Sequence, residues 1–265
     1  MIDISSFFYV AVFLFGLVFG SFYNVLIHRI PLVINSKKKT FFSTISYPNS
    51  FCPSCKKNLL LTHNIPLLSW LYLSGKCHFC KNKISFRYPL VEALTACIFL
   101  FSFWRYGLTI ECIFWLIFFS ILLILFFIDL ETFLLPDYFT ISLLIIGILK
   151  SILYPLAVDP VNSILGAIFG FFSLYIVNSL YRLWRGVDGF GVGDFKLLAG
   201  LGSWFGWFLV IPIIMMGTSV ALISVLILSV IGKQFTLKMM IPFGPALIVA
   251  SIIMYLNPNI LLLFI

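Results

Sequence analysis

The chain has 265 residues, of which 62% are hydrophobic and only 10% are charged, whereas a soluble globular domain carries about a quarter charged residues. Its net charge is +8 and its mean hydropathy is +1.14. These values exclude a soluble enzyme, a disordered chain, a collagen-like fibre and a small disulfide scaffold. The sequence therefore predicts an all-α integral membrane protein whose solvent is the lipid bilayer.

Apolar stretches that approach or reach the roughly 20 residues needed to cross a bilayer recur along the whole chain. We predict about eight transmembrane helices, at 4–27, 88–104, 112–128, 138–158, 161–181, 197–232 (two helices, divided near Trp207 to Pro212) and 241–265. The expected organisation is a first transmembrane helix (1–28), a polar loop (29–88) and a seven-helix membrane domain (89–265). Because no Lys or Arg precedes Arg29, we interpret the first helix as a retained anchor and not a signal peptide.

The polar loop is strongly basic, with ten Lys or Arg residues and no acidic residue from Arg29 to Arg87. The positive-inside rule places this loop in the cytoplasm, and retention beside anionic lipid explains the charge better than nucleic-acid binding does. The same orientation places five further basic residues in the cytoplasm: Arg182, Arg185, Lys196, Lys233 and Lys238. It places the acids Asp3 and Asp159 outside, whereas the basic residues Arg105 and Lys150 do not fit this orientation.

Four cysteines in the loop form two CxxC pairs, Cys52 with Cys55 and Cys77 with Cys80, separated by 21 residues. Two such pairs are typical of a structural zinc site, in which each turn presents two thiolates to one tetrahedral ion. A loop of this size also needs metal to fold, since it has little apolar content. Flanking lysines, Lys56, Lys57, Lys76 and Lys81, would offset the negative charge of the thiolates.

Disulfides and a redox dithiol are the alternatives, but a cytoplasmic loop is kept reduced and no βαβ pattern surrounds the cysteines. His78 or His63 could replace one cysteine as a ligand. Cys97 and Cys112 lie in predicted spans or at their ends, and we interpret them as small apolar side chains in packing positions.

Acidic residues stand at the cytoplasmic ends of predicted spans, where ionisable groups are costly and indicate function. Asp129 ends an uncharged run, whereas Asp137 follows Pro136 and can be explained as a helix N-cap. Asp194 directly follows the segment Gly189 to Gly193, whose three glycines allow the backbone to approach the carboxylate closely. A nucleotide-binding loop is the alternative for these glycines, but no strand precedes them.

Asp129 and Asp194 lie on separate predicted helices at the same bilayer depth. Two aspartates that share one proton can polarise a carbonyl and activate a water molecule. This combination predicts aspartyl proteolysis.

Six segments resemble the signatures of the prepilin peptidases, the type IV leader peptidases of bacterial pilus, competence and type II secretion systems. They are Gly20 to Pro31, Cys52 to Cys80 including Asn64 to Trp70, Tyr88 to Glu92, Asp129-Leu130 with Pro136-Asp137, and Gly191-Val192-Gly193-Asp194-Phe195-Lys196, the GxGD motif; Ile241 to Pro245 adds a last-span signature. The resemblance covers most of the chain.

The resemblance implies two activities at the cytoplasmic face of the bacterial inner membrane. Such enzymes cut the basic leader of type IV prepilins or type II secretion pseudopilins after a glycine, and members with the cysteine loop then methylate the new amino terminus from S-adenosylmethionine. It implies Asp129 and Asp194 as the catalytic pair, zinc on Cys52, Cys55, Cys77 and Cys80, and membrane lipid but no nucleic acid as a partner. Gly191, Gly193, Lys196, Asp137 and Glu92 belong to the supporting motifs.

Several alternatives stay open at this point. Lys196 can favour the ionised form of Asp194 or extend to the lipid headgroups. Glu92 can bind substrate or methyl donor, or it can be an acid at a helix start. A proton-coupled transporter would also use intramembrane acids, but here the acids cluster at one face and no inverted repeat is evident. An inactive scaffold organised by zinc would also carry a cysteine loop.

Overall fold

The computed structural model of the protein describes residues 4–35, 51–52, 54–59, 62, 65–230 and 242–257. Within these ranges it has nine α-helices: α1 (Ile4–Asn35), α2 (Leu68–Tyr72), α3 (Arg87–Tyr106), α4 (Ile110–Thr132), α5 (Asp137–Leu153), α6 (Pro160–Arg185), α7 (Val192–Phe205), α8 (Val210–Val230) and α9 (Gly244–Leu256). Extended backbone pairs there only as two isolated bridges. The predicted all-α architecture is therefore confirmed.

Four segments are long and apolar enough to cross a membrane in the described part of the chain: Phe7–Ile34, Ile110–Thr132, Pro160–Arg185 and Trp207–Val230. The other predicted spans coincide with helices α3, α5, α7 and α9, which are shorter or more polar. The long uncharged run breaks as predicted, because α7 ends at Phe205 and a 3-10 turn precedes α8. The count of eight spans remains a prediction.

Helix α6 shows how local sequence sets the limits of an element. Asp159 is its N-cap, and the side-chain carboxylate accepts hydrogen bonds from the amides of Val161 and Asn162. Pro160 takes the first helical position, where its missing N–H is not needed. Gly186 ends the helix with a φ of +75°, a left-handed conformation that suits glycine best.

The chain divides into two compact units, residues 1–124 and 125–265. In the first unit, α1 and α3 pack closely in antiparallel register through small residues. A Cβ atom on Gly16 would lie 2.7 Å from the Cα of Ala96, and one on Gly20 would lie 2.6 Å from the Cα of Glu92. One turn further along α1, the side-chain nitrogen of Asn24 donates to the Tyr88 carbonyl at 3.0 Å. This is the segment that carries the first-span signature.

In the second unit, α7 packs between α5 and α6. Gly166 of α6 and Gly202 of α7 bring the two backbones into direct contact, since a Cβ on either glycine would overlap the other residue's carbonyl group. On the opposite side, the Trp204 indole donates to the Leu143 carbonyl of α5 at 2.8 Å. Small residues of this kind let helices approach in lipid, where apolar burial alone does not drive association.

This crossing predicts that Gly166→Val destabilises the protein, because the added side chain would meet backbone atoms that cannot rotate away. We expect a loss of about 1–3 kcal/mol, seen as a lower unfolding midpoint of the purified protein in detergent. Ile168→Val on the exposed face of the same helix is the control and should leave the midpoint nearly unchanged. Equal midpoints for the two variants would contradict the backbone contact.

Candidate active site and metal centre

Asp129 lies in the last turn of α4 and is 4% exposed. Its Oδ2 atom is buried and has no donor among the described residues, while the carboxyl group as a whole interacts with the backbone amide of Gly244. The start of α9 lies against this carboxylate, since a Cβ on Gly244 would contact Oδ2. A buried carboxylate oxygen without a donor is costly to maintain, and such groups within membrane proteins mark functional sites.

Asp194 occupies the third position of α7 and is also buried. Its Oδ2 atom accepts a hydrogen bond from the Gly191 amide at 3.1 Å, and its own amide donates to the Gly191 carbonyl at 3.0 Å. These two bonds close the first turn of the helix and fix the carboxylate relative to the backbone. An acid at a helix N-terminus also interacts favourably with the helix dipole.

The structure brings the two predicted aspartates together, and they interact electrostatically. Leu135, in the connection between α4 and α5, links their surroundings. Its side chain contacts the position where a Cβ of Gly193 would stand, at 2.7 Å, and approaches the corresponding position of Gly244 at 3.2 Å. The motif glycine at 193 is thus required by close packing, and one leucine contacts residues beside both acids.

Two adjacent carboxylates in apolar surroundings have a specific chemical capacity. Because two like charges at short range are mutually unfavourable, such a pair favours holding one proton between them. One member then acts as an acid and the other as a base, which is the arrangement used for hydrolysis of an amide by an activated water molecule.

Asp137 and Lys196 form an ion pair, with 2.7 Å from the Lys196 Nζ atom to the Asp137 Oδ1 atom. Asp137 is the first residue of α5, Pro136 holds the N-cap position, and no side chain caps this helix. The interpretation of Asp137 as an N-cap is therefore wrong. The Lys196 ammonium group joins α7 to the start of α5, and its two suggested roles stay predictions.

Glu92 lies in the second turn of α3, is 8% exposed and accepts a hydrogen bond from the Leu67 amide at 2.8 Å. The first turn of α3 carries no acidic residue. The interpretation of Glu92 as a helix-start acid is therefore wrong. Its carboxylate instead connects the cysteine loop to the helices of the first unit.

Asn178 is a site-supporting residue that sequence reasoning missed. Its side-chain oxygen accepts hydrogen bonds from the amides of Gly189 and Phe190, and its side-chain nitrogen donates to Asp188. The loop entering α7 is thereby fixed to α6, and Phe190 then packs against Phe243 with ring centroids 5.1 Å apart. A buried asparagine in the apolar run of α6 was the signal that could have revealed it.

The four cysteines of the loop lie in two turns of the same construction. In the first, the Cys52 amide donates to the Lys57 carbonyl and the Lys56 amide donates to the Cys52 carbonyl. The second repeats this pattern 25 residues later, with Cys77, Asn82 and Lys81 in the equivalent places. Lys56 and Lys81 both adopt positive φ values, 57° and 59°. The two turns therefore present their thiols in the same way.

The four thiol sulfurs lie within 4.8 Å of one another, and those of Cys52 and Cys80 are 3.8 Å apart. Tetrahedral bonds of about 2.3 Å to zinc separate sulfurs by about 3.8 Å, so the cluster fits such an ion. His78 is not part of the cluster formed by the described residues, and His63 lies outside them. Among the remaining cysteines, Cys97 is exposed and Cys112 is buried.

The thiols also influence one another's protonation. Backbone hydrogen bonds, chiefly from Cys55, lower the pKa of Cys52 to about 6. A backbone hydrogen bond from Asn82 favours the Cys80 thiolate, but burial and the three neighbouring thiols raise the pKa of Cys80 to about 11. A bound cation would favour the ionised form of all four thiols, because thiolates are the form that ligates metal.

Comparison with known proteins assigns the chain to a family. The model of the bacterial peptidase A24 N-terminal domain matches residues 14–106, and that of the type IV leader peptidase family matches residues 116–237. Three relatives are described as prepilin leader peptidase/N-methyltransferase. The protein of Legionella pneumophila is 35% identical over 96% of this chain and 92% of its own length. The chain belongs to the type IV leader peptidase family.

The other two relatives extend the same result. The protein of Klebsiella pneumoniae is 42% identical over 74% of this chain and 84% of its own length, and that of Dichelobacter nodosus is 38% identical over 92% and 89%. No solved structure matches the chain. The resemblance inferred from the motifs is confirmed, and so is the predicted enzyme class, a leader peptidase.

The packing around Leu135 predicts different tolerance at the two motif glycines. Gly193→Ala should lower stability by about 1–3 kcal/mol and slow peptide cleavage, because the new Cβ would overlap Leu135. Gly191→Ala is the matched control, since its Cβ would lie 3.4 Å from the nearest atom. Unfolding midpoints and cleavage rates measure both effects.

Leu135→Ala should partly restore the Gly193→Ala protein by removing the overlapping atoms. If the double variant is no better than Gly193→Ala alone, Leu135 is not the reason that position 193 is a glycine.

Proposed function

We propose that this protein is a membrane aspartyl endopeptidase that removes the leader of type IV prepilins or pilin-like proteins after a glycine, and then methylates the new amino terminus from S-adenosylmethionine. The observation that carries the peptidase proposal is the pair of buried carboxylates, Asp129 and Asp194, on two helices. The named relatives, similar over most of their length, support both activities.

The environments of the two acids assign them different roles in this proposal. Both carboxyl groups interact with a backbone amide, Asp194 with that of Gly191 and Asp129 with that of Gly244. We assign Asp129 as the acid because its buried Oδ2 atom has no donor, which suits a protonated group. Asp194 would take a proton from water as the water oxygen bonds to the scissile carbonyl carbon, and Asp129 would donate its proton to the carbonyl oxygen. When the tetrahedral intermediate collapses and the C–N bond breaks, Asp194 would pass its proton to the leaving nitrogen. Asp129 would take back a proton from the hydroxyl oxygen that becomes the new carbonyl, which restores both acids.

The proposed location of the reaction is the cytoplasmic face of the inner membrane. A prepilin has a polar leader followed by an apolar helix, so its scissile bond lies where the helix leaves the bilayer. The basic segment from Arg29 to Arg87 favours a cytoplasmic position for the loop. Eight spans would place Asp129 and Asp194 at that same face.

Zinc is the ion we propose for the thiol cluster, held by Cys52, Cys55, Cys77 and Cys80. Four thiolates at these separations suit a closed tetrahedral site, which contributes folding free energy and leaves no open position for chemistry. Zinc would therefore hold the loop in shape, while S-adenosylmethionine would supply the methyl group as a co-substrate.

The dyad predicts that Asp129→Asn and Asp194→Asn each reduce leader cleavage by at least about a thousandfold, because residues acting as a unit fail together. The measurement is mass spectrometry of a prepilin-like peptide incubated with each purified variant. Asp137→Asn, which removes a partly exposed ion pair, is the control and should retain most activity. Normal turnover by either Asp129→Asn or Asp194→Asn would contradict the assignment of these two residues as the catalytic pair.

The metal proposal predicts one zinc per chain by elemental analysis. Cys52→Ser and Cys80→Ser should each lower zinc occupancy and make the loop sensitive to protease, because a lost ligand removes folding free energy. Cys97→Ser, on the exposed side of α3, is the matched control and should keep full occupancy. Stoichiometric zinc after substitution of all four loop cysteines would refute the site.

The two activities should occur in a fixed order. The nitrogen of an intact peptide bond is a poor nucleophile because its lone pair is delocalised, whereas cleavage releases an α-amine with a pKa of about 8. Asp194→Asn should therefore block methylation of a full-length substrate but still methylate a pre-cut peptide when S-adenosylmethionine is present. Methylation of an uncut substrate would contradict this order, and proton flux without any cleavage would favour a transporter.

A further inference from the structure

The short helix α2 exposes apolar side chains to its surroundings. Leu68 and Leu71 are 65% and 64% exposed, Tyr72 is 88% exposed, and the neighbouring Ile65 and Phe86 are also exposed. No residue of α2 is buried. In a loop surrounded only by water, such a cluster of large apolar groups would be unfavourable.

Helix α2 is held in place by a strained turn. Leu67 adopts φ 58° and ψ −51°, in the left-handed half of backbone space that a leucine rarely occupies. A hydrogen bond from the Leu68 amide to the Pro66 carbonyl closes this turn, and the Leu67 amide donates to the buried Glu92 carboxylate at 2.8 Å. These hydrogen bonds fix the start of α2 against the second turn of α3 and hold Leu67 in its strained conformation.

A second set of contacts fixes the other face of α2. The Trp70 ring packs against Phe86, its indole nitrogen donates to the Ile84 carbonyl, and a Cβ on Gly75 would lie 2.8 Å from the ring. Trp70 therefore faces the protein while Leu68, Leu71 and Tyr72 face outward.

The register of α1 and α3 gives the depth of α2. Glu92 is five residues beyond Arg87, or about 7.5 Å along α3, and it packs beside Gly20, which precedes Arg29 by nine residues, or about 13 Å along α1. Both arginines are the first basic residues at the ends of apolar runs, where the headgroups begin. Leu67, at the level of Glu92, thus lies on the membrane side of that boundary.

The charges around α2 match an anionic surface. Lys76, Lys81 and Lys83 follow it in sequence and are exposed, and the chain has no acidic residue between Arg29 and Arg87. An exposed apolar helix followed closely by exposed lysines has the composition of a segment that lies in a membrane interface.

We propose that α2 is an interfacial anchor: Leu68, Leu71 and Tyr72 insert among the lipid chains at the cytoplasmic surface, and the adjoining lysines contact anionic headgroups. The anchor holds the thiol cluster at the membrane surface, because α2 is joined to the second cysteine turn by only a few residues. This proposal is independent of the peptidase reaction.

The test uses the full-length protein in nanodiscs of phosphatidylethanolamine and phosphatidylglycerol. The photo-crosslinking residue p-benzoylphenylalanine replaces Tyr72 in one protein and Phe79, an exposed ring in the second cysteine turn, in the matched control. After irradiation, intact-mass spectrometry should find lipid adducts at position 72 at least five times as often as at position 79. Lys76→Gln, Lys81→Gln and Lys83→Gln together should halve the phosphatidylglycerol share of those adducts.

Other results would overturn the proposal. Equal lipid adducts at the two positions, or none at position 72, would show that α2 does not enter the interface. Crosslinks between protein chains at position 72 would assign the apolar face to a second copy. Adducts that appear only when a prepilin-like peptide is added would assign it to the substrate. An unchanged share of phosphatidylglycerol adducts in the lysine variant would show that the lysines do not contact anionic headgroups.

Discussion

Direct backbone contact between helices α6 and α7 is the constraint on which the second unit depends. Gly166 and Gly202 leave no room for a side chain between them, so α7 has one place to lie. Its first turn then positions Asp194, and Leu135 packs against Gly193 and near Gly244, beside Asp129. A few close contacts between glycines and neighbouring groups thus decide where two acids meet.

The acids themselves are not what stabilises this arrangement. Burying a carboxylate without full hydrogen bonding is unfavourable, and Asp129 has a buried oxygen with no donor among the described residues. The surrounding packing must hold such a group in place. Asn178 contributes by fixing the loop before α7, and the pair of Asp137 with Lys196 joins α7 to α5. We interpret the unused bonding capacity of Asp129 as what a peptide carbonyl would occupy.

Sequence reasoning succeeded where a pattern is local. Apolar runs predicted the helices, the break near Trp207 followed from length alone, and the spacing of two CxxC pairs predicted a thiol cluster that the structure forms. The pairing of Asp129 with Asp194 was inferred from depth and from family resemblance. Their electrostatic interaction follows from the fold, but their catalytic roles remain proposals.

The partners of the remaining site residues depended on helix register, which local sequence patterns do not encode. Asp137 looks like an N-cap because it follows a proline, yet whether it caps or pairs depends on where Lys196 of α7 falls. Glu92 looks like an acid at a helix start, but the fold gives its carboxylate two partners, the Leu67 amide and the Ser21 side chain. Leu135 and Asn178 are ordinary residues in sequence, and their roles appear only when three helices are packed together.

The central claim is that Asp129 and Asp194 act on one reacting group. A peptide in which the scissile carbonyl is replaced by a tetrahedral hydroxyl mimics the intermediate that both acids would contact, and its affinity can be measured by isothermal titration calorimetry. Transition-state analogues bind at least about a hundredfold tighter than substrates. We predict that Asp129→Asn and Asp194→Asn each lose that advantage, that the double variant loses little more, and that a matched peptide without the hydroxyl binds all variants alike. Full affinity for the hydroxyl peptide in either single variant would contradict the shared site.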